Sequence, residues 1–80
     1  MNKFTLYVGT ICPYCKRVER FIEDNGIKGV EIKNIDTDPE ARDHLIQFGG
    51  KRQVPCLMYD DKYLYESLDI INYLKEHGER

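Results

Sequence analysis

Apolar positions along this chain alternate between the spacing of strands and the spacing of helices, and each switch marks an element. Phe4, Leu6 and Val8 sit in a short run ended by Gly9-Thr10, the pattern of a buried strand. From Pro13 onward Tyr14, Val18, Phe21 and Ile22 recur at helical spacing, and Asn25-Gly26 supplies a stop. Val30, Ile32 and Ile35 mark a second strand. Asp38-Pro39 then joins a capping residue to a proline suited to the first helical position, and Ala41, Leu45 and Phe48 are predicted to face inward along a helix ending at Gly49-Gly50. Val54 to Tyr59 reads as a third strand, Asp60-Asp61 as a turn, and Lys62 to Tyr65 as a fourth strand returning in a hairpin. Ser67 is the expected N-cap of a last helix bearing Ile70, Ile71 and Leu74, with Gly78 beyond it.

The order βαβαββα predicts an α/β fold. Strands joined through a helix run parallel and a hairpin runs antiparallel, so the sheet is four-stranded and mixed, with helices on both faces. Eighty residues suffice for one small domain, residues 1–80, with neither a repeat nor a linker. A net charge of −2 with mixed signs argues against nucleic-acid or membrane partners. Met1 to Gly9 has no long apolar region or cleavage-site pattern, so a cytoplasmic location is expected. Three cysteines are too few for a secreted disulfide framework and fit a reactive pair plus one spare.

That pair is Cys12-Pro13-Tyr14-Cys15, just past a strand and at the start of a helix. Two thiols at this spacing let one sulfur attack a disulfide while the other resolves the product. A free thiol titrates near about 8.5, and in such motifs the value falls to roughly 3.5–7.5, which needs something to hold the anion. Pro13 at the first helical position puts Cys12 at the N-cap, where the open amides of the first turn can direct themselves at its sulfur. Cys12 is therefore the expected attacker, and Cys15, one turn further in, the second thiol. Its position beyond the C-terminal end of the first strand is also where open α/β sheets bind ligands.

Cys12-Pro13-Tyr14-Cys15, followed by Gln53-Val54-Pro55 and then Glu66-Ser67-Leu68-Asp69-Ile70, resembles dithiol glutaredoxins of the thioredoxin superfamily, especially those whose N-terminal domain is related to glutathione transferases. The resemblance implies a thioredoxin-like fold and a monomer that uses glutathione as co-substrate, with no permanently bound cofactor and no metal. It implies glutathionylated or disulfide-containing proteins as partners. Residue by residue, it makes Cys12 the nucleophile and Cys15 the resolving thiol. It matches Pro55 to a cis-proline that leaves the Val54 backbone to pair with glutathione, and Glu66 and Ser67 to the pair that meets the γ-glutamyl end. Tyr14 and Gln53 would flank the ligand. Many small glutaredoxins carry a lysine where this chain has Gly9, threonine in place of Gln53, and a Gly-Gly or Cys-Asp segment in place of Glu66-Ser67, which points toward the transferase-like branch. Lys16, Arg17, Arg42, Lys51 and Arg52 are left as cations that could serve the thiolate or a ligand carboxylate.

Other readings compete. Cys12 and Cys15 could be half of a zinc site, but His44, Cys56 and His77 do not supply a second pair at ligand spacing. The chain could be a thioredoxin-like electron donor recycled by a flavoprotein reductase, or an iron-sulfur carrier using Cys12 and glutathione thiolates. Cys56 reads as a small packed residue, with a glutathionylated thiol as the rival.

Overall fold

The computed structural model describes residues 4–50, 53–60 and 62–78. They form β1 (Phe4–Val8), α1 (Pro13–Asp24), β2 (Val30–Asn34), α2 (Pro39–Gly49), β3 (Cys56–Tyr59), β4 (Lys62–Leu64) and α3 (Ser67–His77), the expected order. The sheet runs β2-β1-β3-β4, with β1 parallel to β2 and antiparallel to β3, and β3 antiparallel to β4. This is the thioredoxin-like arrangement.

Strand alternation divides the core between two faces. Phe4, Leu6 and Val8 of β1 and Leu57 of β3 pack with Val18 and Ile22 of α1 and with Ile70 and Leu74 of α3. Tyr7 and Cys56 point the other way, onto Ile35 and onto Ala41 and Leu45 of α2. Tyr7 is only 2% exposed, and burial pushes its hydroxyl up to about 12 from the usual 10, with Tyr63, Cys56 and Glu31 adding smaller contributions. A raised folded-state value means its stabilisation is complete below pH 10 and lost as the pH rises from 10 through 12. Wild-type stability should fall by about 2 kcal/mol more than that of Tyr7→Phe over that interval. Urea titrations of both proteins at pH 9 and pH 11.5 measure this, and parallel losses would refute it.

Several details depart from the sequence reading, among them β3, which starts at Cys56 and not at Val54. Phe48 lies outside the core, 58% exposed and tilted against His44 at 4.6 Å between ring centroids. The line of α2 that meets the sheet is Ala41, Leu45, Gly49, and a Cβ on Gly49 would collide with the Tyr65 hydroxyl. Phe48 therefore falls about 100° to the side of that line. β2 ends at Asn34, so Ile35 is buried just beyond the strand, its amide bonded to the Val8 carbonyl at 2.9 Å. Ile32, opposite Leu6, is 45% exposed because β2 is the sheet's edge. Finally, Glu66 rather than Ser67 is the N-cap of α3. The Ile70 amide bonds to the Glu66 carbonyl at 2.8 Å, which makes Ser67 the first helical residue. Asp60 takes the left-handed conformation of the turn at φ 47, one that aspartate tolerates; Asp61 lies outside the described residues.

Candidate active site

Cys12 is extended (φ −148, ψ 99) and caps α1, with Pro13 next, and the Cys15 amide donates to its Sγ at 3.1 Å. A donor there satisfies one orphan amide of the helix and favours negative charge on the sulfur. The Cys12 and Cys15 sulfurs are in disulfide contact, with Cα atoms 5.2 Å apart. Cys12 keeps 9% of its surface and Cys15 none, so in the folded chain solvent reaches only the first of the pair.

On the other side of Cys12 its Sγ lies 3.9 Å from the Val54 carbonyl oxygen. The Val54-Pro55 peptide is cis, and both residues precede β3, whose ladder begins at Cys56 because proline has no amide hydrogen to offer. Behind the dithiol the Thr10 amide donates to Asp36 at 2.8 Å, and Asn34 reaches Thr10 Oγ1 at 3.2 Å, tying the β1–α1 loop to the end of β2. Gly9 sits tightly inside this corner. A Cβ there would lie 3.3 Å from Val54 Cγ2, so a side chain at this position needs Val54 to give by a few tenths of an ångström, and 3.5 Å from Asp36, an ordinary contact.

A groove of about 380 Å³ opens along this corner, lined by Tyr14, Gln53, Val54, Pro55, Glu66 and Ser67, which brings together all six ligand positions singled out from the sequence. Arg17, Tyr65 and Leu68 complete it. Tyr65, expected in β4, lies just past its end and donates its hydroxyl to the Gly49 carbonyl at 2.7 Å, linking the groove wall to the end of α2. Burial, and then Cys56, push that hydroxyl above its ordinary pKa. Tyr65 had no sequence signal beyond strand packing, since its role depends on where α2 stops. The first turn of α3 has no side-chain cap, so its amides at Ser67 and Leu68 remain for a ligand or for water.

Of the cations considered, Arg17 alone among the described residues lines this groove. Lys16 lines its neighbour, and Arg42 meets Asp43 at 3.5 Å. Lys51 and Arg52 lie outside the described residues. Cys56 is fully buried on the α2 face of the sheet, away from the dithiol. Among the described residues no group of three or more His, Cys, Asp or Glu side chains could hold a metal, and no helix is long and apolar enough to cross a membrane.

A thioredoxin-like fold with an accessible N-cap cysteine and a second thiol one turn behind defines a thiol-disulfide oxidoreductase. The family model for glutaredoxin matches residues 4–64. The chain belongs to the glutaredoxin family, and with it to glutathione-dependent thiol redox chemistry. A glutaredoxin of Neisseria meningitidis serogroup A is 28% identical over 78 residues, spanning 98% of this chain and 92% of that protein. Glutaredoxin 2 of Escherichia coli is 32% identical over 73 residues, which cover 86% of this chain but 31% of that protein. Among solved structures, glutathione transferase Omega 3C from Trametes versicolor superposes with a TM-score of 0.77 at 28% identity, over 95% of this chain and 34% of that one. This chain thus spans about a third of the two longer proteins and nearly all of the first.

Proposed function

We propose that this chain reduces glutathione mixed disulfides and protein disulfides through Cys12 and Cys15, holding the glutathione moiety in the groove beside them. The observation that carries the reading is the joining of Val54, Pro55, Glu66 and Ser67 in one groove whose wall, at the Val54 carbonyl, is 3.9 Å from the Cys12 sulfur. Val54 lies outside the sheet ladder, so its backbone can pair with the cysteinyl residue of the tripeptide as a short added strand. The α3 amides suit the γ-glutamyl carboxylate, and Glu66 suits its ammonium.

The Cys12 thiolate attacks the glutathione sulfur of a mixed disulfide. A Cys12–glutathione bond forms, the old disulfide breaks, and the substrate leaves as a thiolate that takes a proton from water. A glutathione thiolate then attacks that bond, giving oxidised glutathione and free Cys12. On a protein disulfide Cys12 forms the mixed disulfide and Cys15 attacks it, leaving a Cys12–Cys15 bond that two glutathiones reduce. The fully buried Cys15 suits this second role, since it needs to meet only Cys12.

The experiment supplies electrons to the protein from glutathione with glutathione reductase, or from thioredoxin reductase, with NADPH in both arms, and follows reduction of a glutathionylated protein. Turnover is expected in the glutathione arm. Turnover only with thioredoxin reductase would replace this reading with that of an electron donor that has no glutathione site.

A further inference from the structure

The charges of α1 are ordered against its dipole. Lys16 and Arg17 occupy its first half and Glu23 and Asp24 its last turn, with no acid in the first turn and no base in the last. Two other arginines find carboxylates on their own helix surface, Arg20 with Asp24 at 3.7 Å and Arg42 with Asp43 at 3.5 Å. Arg17 meets no carboxylate among the described residues. It stands instead where two grooves meet: the one beside Cys12, and a second that it shares with Phe21 of α1 and Ile71 of α3. Arg17 thus lines the first groove together with Glu66, Ser67 and Leu68 from the start of α3, and the second together with Ile71, one turn further along that helix.

The first groove therefore offers one guanidinium, the first-turn amides of a helix without a side-chain cap, and one carboxylate. This set is complementary to an α-amino-acid head group, an ammonium and a carboxylate on one carbon. We propose that Arg17 binds the α-carboxylate of the γ-glutamyl residue and so makes the groove select thiols that carry that head group. The proposal rests on the glutathione reading of the groove given above. It also assigns a task to a cation that the sequence left undistinguished from four others.

The test uses single turnovers of the prereduced protein with three disulfides of 2-mercaptoethanol, carrying glutathione, γ-glutamylcysteine (no glycine) or cysteinylglycine (no γ-glutamyl group). Saturation of the rate gives an apparent Kd for each. Wild-type protein should bind the first two more tightly than the third. Arg17→Gln should raise the apparent Kd about tenfold for the first two, equivalent to about 1.4 kcal/mol, and so erase most of that preference. Arg17→Lys should recover part of it, since a point charge remains without the planar fork. Lys16→Gln, which removes a neighbouring charge that does not line this groove, should keep the wild-type preference. An equal rise for all three disulfides in Arg17→Gln would show a general charge effect and overturn the proposal, as would an intact preference. Absence of any preference in the wild-type protein would overturn the glutathione reading as well, and so is distinguishable from failure of Arg17 alone.

Discussion

Cys12→Ser is expected to reduce turnover of every disulfide to the background rate, while Cys15→Ser keeps turnover of glutathione mixed disulfides within the same order of magnitude and loses reduction of protein disulfides. The asymmetry follows from position. Cys12 caps α1, accepts the Cys15 amide at 3.1 Å and is the one of the two that solvent reaches. A serine hydroxyl there stays protonated at neutral pH and cannot displace a thiolate. Cys15 is needed only when the bond to be resolved joins Cys12 to a protein, because free glutathione can attack a Cys12–glutathione disulfide from solution. Steady-state assays on a glutathionylated peptide and on a protein disulfide separate the two activities, and equal losses in both variants would contradict the roles.

The largest stability effect is expected at the centre of the sheet. Leu6 is fully buried and pairs across the ladder with Leu57, also fully buried, on the face covered by α1 and α3. Leu6→Ala removes apolar contacts and leaves a cavity, at a cost of about 2–5 kcal/mol. A chain of 80 residues has roughly 4–12 kcal/mol in all, so the variant should lose a large share of its stability. Ile32→Ala, in the register position beside Leu6 on the exposed edge strand, should cost about 1 kcal/mol or less. Urea unfolding followed by circular dichroism compares them, and similar midpoints would mean that the core is not centred where Leu6 and Leu57 meet.

Local patterns proved reliable for the alternation of β1 and for the starts of α1 and α2. The alternation of Phe4, Leu6 and Val8, the Asp38-Pro39 start of α2 and the Cys12-Pro13 start of α1 all appear in the structure as expected, with Asp38 accepting the Ala41 amide at 3.2 Å. These features are encoded in residues a few positions apart. Phe48 and Ile32 escaped the pattern because burial depends on what lies across from a side chain. Hydrophobicity carries no information on whether a helix meets the sheet along Ala41–Leu45–Gly49 or whether a strand lies at an edge. The same holds for the cap of α3, where the chain's approach and not the preference of serine placed Glu66 outside the helix.

The sequence by itself determined the dithiol pair, the order of elements and the mixed sheet, because the spacing of two thiols and the period of apolar residues are local properties, while the thioredoxin-like class was implied by the resemblance of its motifs to glutaredoxins. Only the tertiary structure decided that, of the three candidate cations among the described residues, Arg17 lines the groove beside Cys12, and that Tyr65 and Leu68 help to line it. Tyr14 and Arg17 come from α1, Gln53 to Pro55 from the approach to β3, and Glu66 to Leu68 from the start of α3. Distances among groups so far apart in the chain follow from how the helices pack on the sheet, which no short window of sequence contains.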